Sequence, residues 1–128
     1  MSAAPSVMGS RIFDWEKLAV TATKSGERRD FFDTPTATLR HCECHATTLN
    51  AGEAAHPPHR HPEEEMIVVK EGTLEVAING APQQAGAGSV FFFASGDLHG
   101  VRNTGAMRAT YFVFRLFTDE TPAAGGAR

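Results

Sequence analysis

The chain has 128 residues and a formal charge of −3, since 12 lysines and arginines stand against 15 aspartates and glutamates. This length suits a single domain with one core. The sequence has no run of five basic residues, which argues against a nucleic-acid partner, and no apolar stretch of the roughly 20 residues that a membrane-crossing helix needs. Residues 1–10 lack the basic flank and apolar run of an intact signal peptide, so we expect a cytoplasmic protein, or a periplasmic one if a leader has been removed.

The N-terminal half is predicted to begin with a flexible segment, residues 1–10, followed by one domain over residues 11–118. Residues 11–20 mix apolar and polar side chains in a pattern that fits either a short strand or a turn packed on the domain. The mixed charges of residues 27–30 are typical of solvated surface. Residues 36–49 are rich in threonine and are predicted to form one long strand.

Two cysteines lie on this predicted strand, two positions apart. Cys42 and Cys44 therefore point the same way but are too close in sequence for an unstrained disulfide, so we expect two buried or half-buried thiols. His41, Glu43 and His45 alternate with them on the opposite face, which is accordingly polar. The sequence leaves open whether that face meets a cavity or water.

The C-terminal half shows short β-type segments separated by turn residues, and Asn79-Gly80 is the strongest hairpin signal among them. No segment has a sustained helical period, and turns about every ten residues indicate an all-β sandwich or barrel. The tail, residues 119–128, is predicted to be disordered. The predicted strands are residues 66–70, 73–78, 89–93, 100–103 and 109–116.

A histidine-rich stretch carries the clearest chemistry. His59 and His61 are two positions apart, so an extended backbone aims both imidazoles at one point, and the flanking prolines exclude a helix. Glu65 follows His61 at an even offset that can return a carboxylate to the same face. A fourth ligand has to come from elsewhere, and His99, after a Gly-Asp turn, is the best candidate.

These residues resemble the first motif of the cupin superfamily, which pairs His-x-His with a glutamate three or four residues later and a glycine six residues beyond that. Here it is His59-x-His61, three residues, Glu65, six residues, Gly72. A glycine that precedes the motif, Gly52, lies one residue further from His59 than the family pattern has it.

The second cupin motif is similar to a later stretch of the chain. It reads Gly88, five residues, Ala94-x-Gly96, two residues, His99, three residues, Asn103. Ala94 stands where the family usually has proline, a departure that concerns a turn and not a ligand. The resemblance implies that Asn103 has a structural role.

The resemblance implies an all-β fold, an antiparallel jelly-roll barrel (a double-stranded β-helix, RmlC-like). It also implies one divalent transition metal (Fe, Mn, Ni, Zn or Cu) on His59, His61, Glu65 and His99. Four such ligands leave about two positions open on an octahedral ion, which is typical of a working site. We expect the neighbouring Glu63 and Glu64 to be solvated. Because ligating imidazoles must be neutral, metal should be lost below about pH 6.

The candidates for substrate binding are weaker. His56 is interpreted as a rim residue near the mouth of the pocket, and Arg60 and Arg102, with Lys70, could hold an anionic group there. The aromatic run of residues 91–93 alternates faces, which predicts both barrel filling and an outward contact that fits a homodimer.

The predicted function is a metal-dependent enzyme acting on a small organic substrate. Dioxygenase-type oxidoreductase chemistry is favoured over an isomerase or decarboxylase, because no general base apart from the ligands is evident in the sequence. The alternative is a non-catalytic small-molecule or sugar-binding sensor module. The fold alone does not decide between them.

Overall fold

Two antiparallel sheets make up the computed structural model, which describes residues 6–123. The larger sheet has the strand order β1-β2-β3-β9-β4-β7 and the smaller one β6-β5-β8. The strands in the described range are β1 (Thr21–Thr23), β2 (Gly26–Thr34), β3 (His41–Leu49), β4 (Glu64–Glu71), β5 (Leu74–Ile78), β6 (Ala81–Ala85), β7 (Val90–Phe93), β8 (His99–Arg102) and β9 (Ala109–Phe117).

The predicted jelly-roll class is confirmed by this architecture. Strands distant in sequence are neighbours, as where β9 lies between β3 and β4. The only helical element within residues 6–123 is a 3₁₀ turn, Trp15–Lys17. No helix in this part of the chain is long and apolar enough to span a membrane. Residues 1–5 and 124–128, the outer parts of the two predicted flexible ends, lie outside the described residues.

The core lies between the two sheets and follows from alternation along the strands. Ile67 and Val69 on β4 pair with Val113 and Tyr111 on β9, so their side chains share the inner face. Leu74 and other buried side chains of the smaller sheet complete the cluster from the opposite side. The fully or nearly buried members are Leu49, Ile67, Val69, Leu74, Val76, Phe93, Val101, Ala109, Tyr111 and Val113.

The predicted strands agree with the structure except at the N-terminal side. The long strand predicted over residues 36–49 is shorter, because the Thr36 hydroxyl accepts a hydrogen bond from the Leu39 amide at 2.9 Å and closes a turn. The sequence pattern missed β1, β2 and β6. β2 does not stand out because the mixed charges of residues 27–30 are typical of solvated surface. β6 carries Pro82, which is unusual in a strand but is tolerated here because β6 lies at the edge of its sheet.

The predicted hairpin turn is confirmed. Asn79 and Gly80 have φ of 50° and 83° and join β5 to β6. Both central residues of this type of turn need positive φ, which asparagine and glycine adopt at low cost. The turn fixes the register between β5 and β6, and Asn79 also exchanges hydrogen bonds with the backbone of Leu98, the residue before β8.

The outer face of the larger sheet is partly covered by the N-terminal segment. Trp15 packs edge-on against Phe112, with ring centroids 5.8 Å apart, and also approaches Phe31. Residues 11–20 therefore form a turn on the barrel, one of the two predicted alternatives. Cys42 and Cys44 are buried free thiols, as predicted, and burial raises the pKa of Cys44 to about 12, so the thiolate is disfavoured.

Candidate metal centre and its cavity

Three histidines converge where the two sheets meet. The ring centroids of His59, His61 and His99 are 4.8 to 5.0 Å apart, and one ring nitrogen from each lies within 4.8 Å of the other two. The three rings are nearly perpendicular to one another, which leaves a small central space that all three face. This is the spatial arrangement that the two sequence motifs predict.

Backbone hydrogen bonds position the two halves of this cluster. His59 and His99 each donate their backbone N–H to the other's carbonyl at 2.9 Å, forming an isolated antiparallel bridge. The carbonyl of His61 accepts a further hydrogen bond, from Gly96, at 3.0 Å. The proline-rich loop before β4 is thereby attached to the turn that precedes β8.

The rings are oriented from behind by carbonyl groups. Nδ1 of His61 is 2.9 Å from the carbonyl oxygen of Glu63, and Nδ1 of His99 is 3.1 Å from that of Asp97. Since a carbonyl only accepts, each Nδ1 carries the proton and each Nε2 keeps its lone pair. Phe93, stacked on His99 with centroids 4.1 Å apart, further fixes that ring.

The Nε2 atoms of all three histidines are buried, and none has a hydrogen-bond partner within the described residues. Three buried ring nitrogens without a hydrogen-bond partner are costly unless a ligand satisfies them. Glu65 adds a carboxylate: Oε1 lies 3.3 Å from Nε2 of His61 and Oε2 3.5 Å from Nε2 of His99. Three imidazole nitrogens and one carboxylate oxygen fit a divalent transition metal such as Mn²⁺, Fe²⁺, Ni²⁺, Cu²⁺ or Zn²⁺.

The electrostatics of the cluster favour neutral imidazoles at His59 and His99, a more basic imidazole at His61, and an ionised carboxylate at Glu65. Burial and the neighbouring histidines lower the pKa of His59 to about 4, and burial also lowers that of His99. Burial opposes protonation of His61 too, but the Glu65 carboxylate, 3.3 Å from its Nε2, and the charge of Glu63 raise its pKa above the ordinary value. Burial acts against ionisation of Glu65, yet His61 and His99 lower its pKa.

A cavity of about 150 Å³ adjoins the cluster inside the barrel, and Glu65 and His99 form part of its wall. A wider groove of about 740 Å³ lies outside, along β5 and β8, and shares Ala55, His56 and Val101 with the cavity. The groove is larger, but it is not lined by His59, His61, His99 or Glu65. The inner cavity is therefore the candidate ligand site, and the groove adjoins it at the three shared residues.

The far wall of the cavity carries a charge network that sequence reasoning missed. Glu43 is only 2% exposed, and one of its oxygens lies 2.8 Å from Nε of Arg115. The second oxygen of Glu43 lies 2.7 Å from Nδ1 of His45. The part of this polar face that carries Glu43 and His45 thus lies at the cavity, whereas His41 pairs with Asp33 outside it. The alternation of His41, Glu43 and His45 was the available signal, but it does not reveal which way a strand faces.

The expectation that Glu63 is solvated is wrong. It is 6% exposed and lies 3.2 Å from Nη1 of Arg115. The reason is tertiary: Arg115 on β9 reaches the loop before β4, which a linear pattern does not show. Glu64 is exposed, as expected.

The candidate substrate residues occupy different places. His56 stacks on His59, with centroids 4.0 Å apart, where the groove joins the cavity. Arg102 lines the groove, and Arg60 is exposed, with Nη1 3.5 Å from the carbonyl of Gly96. Lys70 instead lies over the Trp15 ring, 4.8 Å from its centroid, on the outer face of the larger sheet.

Asn103 supports the loop after β8 and contributes no atom to the cluster. It is fully buried, its amide donates to the carbonyls of Leu49 and Met107 at 3.0 and 2.7 Å, and its side-chain oxygen accepts from the amide of Gly105 at 3.0 Å. These bonds satisfy the polar groups of a tight loop, as the implied structural role requires.

An antiparallel jelly-roll barrel with a histidine triad next to an internal cavity defines a class of small metal-capable β-barrel proteins. A family model described as a cupin domain matches residues 45–115, more than half of the chain. The chain belongs to the cupin family, and the resemblance seen in its two motifs is confirmed. No curated protein gives a match to the sequence.

Solved structures agree on the fold. An RmlC-like cupin from Shewanella frigidimarina NCIMB 400 has a TM-score of 0.70 at 16% identity, covering 88% of this chain and 95% of that one. The polyketide cyclase RemF from Streptomyces resistomycificus has a TM-score of 0.69 at 21% identity, covering 91% of this chain and 84% of that one. A predicted oxalate decarboxylase from Thermotoga maritima has a TM-score of 0.69 at 19% identity, covering 84% of this chain and 99% of that one. At these identities the similarity concerns the fold alone.

Proposed function

We propose that this chain is a metal-dependent enzyme acting on a small organic molecule, with His59, His61, Glu65 and His99 as the metal ligands. The observation that carries the proposal is the set of three buried Nε2 atoms without partners, next to an ionised carboxylate. A divalent cation there would draw electron density from a substrate oxygen. The protein's own part is to hold four donors in place and to admit the substrate past His56.

The adjacent cavity favours an enzyme over a structural metal site. A structural site is closed by its four ligands, whereas this cluster borders about 150 Å³ of internal space. Thr47 and Tyr111 line that space together with the charged network, so a bound molecule would find polar partners and apolar walls. Such a volume suits a molecule of roughly benzene size.

The preferred reaction type changes once the cavity is considered. Dioxygenase chemistry was favoured because no proton-transfer group apart from the ligands was evident. His45 is such a group and lines the cavity. Proton transfer on a carbonyl compound, as in an isomerase or a decarboxylase, is therefore our preferred class. The non-catalytic binding or sensor module is the outcome to be distinguished from it.

The experiment is metal analysis of purified protein after loading with Mn²⁺, Fe²⁺, Ni²⁺, Cu²⁺ or Zn²⁺ in turn. We expect one ion per chain in the wild type and in a His41→Ala control, and substoichiometric metal in His61→Ala. His41 lies on the same strand as His45 but pairs with Asp33 outside the cavity. Equal metal content in wild type and His61→Ala would contradict the proposed site. Ligand binding without turnover of any substrate would favour the sensor.

We further propose that the biological unit is a homodimer formed through the outer face of the larger sheet. Val90 and Phe92 project from β7, an edge strand of that sheet, and are 58% and 55% exposed. Large apolar side chains on an edge strand invite pairing with another chain. Light scattering should give twice the chain mass for the wild type and the single mass for Phe92→Lys; a monomeric wild type would contradict the proposal.

A further inference from the structure

His45 and Glu43 form a hydrogen-bonded pair inside the barrel, away from the proposed ligands in sequence. Nδ1 of His45 lies 2.7 Å from Oε2 of Glu43, and both residues sit on the inner face of β3. The other oxygen of Glu43 accepts from Nε of Arg115 at 2.8 Å, and Arg115 also reaches Glu63 at 3.2 Å. The carboxylate is thus held on both sides and cannot rotate freely.

This arrangement determines which nitrogen of His45 is available. An ionised carboxylate only accepts, and hydrogen bonds from His45 and Arg115 keep the pKa of Glu43 low in spite of burial. The Nδ1 of His45 therefore carries the proton, and Nε2 keeps a lone pair for a ligand. A carboxylate behind a histidine is the arrangement that fixes the tautomer and orientation of a catalytic imidazole.

The pair faces the proposed reaction site. His45 lines the same cavity as Glu65 and His99, together with Arg28 and Arg115. The cavity holds only about 150 Å³, so a molecule that reaches the metal ligands on one wall lies close to His45 on another. Arg28, which is half-exposed and also lines the cavity, lies 3.8 Å from Glu43 and adds positive charge to this wall.

We propose that His45 is the general acid and base of this enzyme and that Glu43 is its positioning residue. This inference rests on the proposed function, since it assigns a proton-transfer group to the substrate that the metal site would hold. The substrate class is a small carbonyl compound with an acidic C–H bond next to the carbonyl.

The step is a balanced proton transfer. The C–H bond next to the carbonyl breaks, its electron pair becomes the C=C bond of the enolate, and the carbonyl π pair moves to oxygen. The proton forms a new N–H bond on Nε2 of His45, while the Nδ1 proton stays hydrogen-bonded to Glu43. In D₂O the Nε2 proton of His45 is replaced by a solvent deuteron, and delivery of that deuteron to the same carbon gives C–D. With an α-hydroxy carbonyl such as hydroxyacetone, delivery to the former carbonyl carbon, with the hydroxyl proton moving to the enolate oxygen, gives the isomeric hydroxyaldehyde. Neither outcome needs an oxidant.

The alternative is a structural role, in which the pair of His45 and Glu43 only closes the end of the barrel. The test therefore measures the exchange rate, the His45 tautomer and the probe affinity, which together distinguish a catalytic role from a structural one. Zn²⁺-loaded full-length chain, which is diamagnetic, is incubated in D₂O with pyruvate and with hydroxyacetone as probes. Proton NMR follows exchange of C–H for C–D, ¹⁵N NMR reports the tautomer of His45, and calorimetry measures probe affinity.

For the wild type we expect the Nδ1–H tautomer and measurable exchange. His45→Gln should bind Zn²⁺ and probe as the wild type does, but exchange some 10²- to 10⁴-fold more slowly, the usual contribution of a positioned acid or base. Glu43→Gln should shift the His45 proton to Nε2 and slow exchange with little change in probe affinity. His41→Gln, the same substitution four residues earlier on β3 and outside the cavity wall, should match the wild type.

Three results would overturn the inference and leave the metal site standing: an Nε2–H tautomer in the wild type, exchange at the wild-type rate in His45→Gln, or a Zn²⁺-loaded wild type that exchanges neither probe. A chain that binds no Zn²⁺ would instead remove the proposed function, and with it this inference. The two failures are therefore distinguishable in one set of samples.

Discussion

His59 and His99 exchange two backbone hydrogen bonds of 2.9 Å, although they come from opposite halves of the cupin motif pair. The bridge joins the loop before β4 of the larger sheet to the first residue of β8 in the smaller sheet. The candidate metal centre therefore lies at a seam between the two sheets. A metal ion bound by these side chains should therefore also stabilise the packing of the two sheets.

Metal should accordingly stabilise the whole fold. A ligand that binds only the native state at 100 times its Kd adds about 2.7 kcal/mol, which for a domain of this size corresponds to a rise in Tm of roughly 10 °C. Calorimetric melting with and without Zn²⁺ measures this shift. His99→Ala should abolish the rise and His41→Ala should keep it; an equal rise in both variants would show that the ion binds elsewhere.

Metal affinity should fall as the pH is lowered, and the order of protonation follows from the site. The pKa of His61 is raised above 6.5, whereas that of His59 is lowered to about 4 and that of His99 is also lowered. Between the raised pKa of His61 and the lowered pKa values of the other two histidines, only His61 carries a proton that the metal must displace, so Kd should rise as the pH falls through this range, by up to about tenfold per pH unit. Competition titrations between pH 7.5 and 5.5 check the slope. A slope of zero would mean that His61 is not a ligand.

The stability of the metal-free protein should depend on Glu43 in acid. Burial opposes its ionisation, but His45 and Arg115 lower its pKa below the ordinary value of 4.5. The folded state therefore binds fewer protons than the unfolded state, and the stability from Glu43 is present above pH 4.5 and lost as pH falls through the lowered folded pKa. Urea unfolding from pH 6 to 3 should show a shallower loss for Glu43→Gln than for the wild type. Glu64→Gln, at an exposed position, should follow the wild-type curve.

The sequence predicted which side chains come together better than it predicted what surrounds them. Spacing and neighbouring turn residues mark the four predicted ligands, His59, His61, Glu65 and His99. Both are local features that can be recognised in the sequence alone. The position of Glu43 could not be predicted in the same way, because alternation on β3 gives two faces without saying which one is inside. Tertiary contacts decide that question.

The strands that were missed have a similar physical explanation. β2 carries mixed charges, most of them half-buried, and lies next to the edge strand β1, whereas β6 is itself an exposed edge strand. Neither buries enough apolar surface to leave a period-two pattern in the sequence. Strands with one well-buried face, such as β4 and β9, were predicted to within two residues.

Gly72, the last residue of the first motif, should be intolerant of any side chain for two separable reasons. Its φ is +86°, which costs a non-glycine residue about 1–3 kcal/mol. A Cβ there would also lie 2.7 Å from Cβ of Ala109 and 2.8 Å from its Cα, where backbone on β9 cannot move aside. Gly80 has nearly the same φ, +83°, but nothing within 4 Å of the added atom, so Gly80→Ala carries only the backbone cost.

Denaturant unfolding of the two alanine variants isolates the steric part. Gly72→Ala should be less stable than Gly80→Ala by a further 1–3 kcal/mol, the usual cost of overpacking. Because β4 and β9 are neighbours in the larger sheet, the displacement would reach Tyr111 and the cavity wall, so metal affinity should fall as well in Gly72→Ala. Equal stability of the two variants would mean that β9 yields at Ala109 and that this close approach does not hold the site in shape.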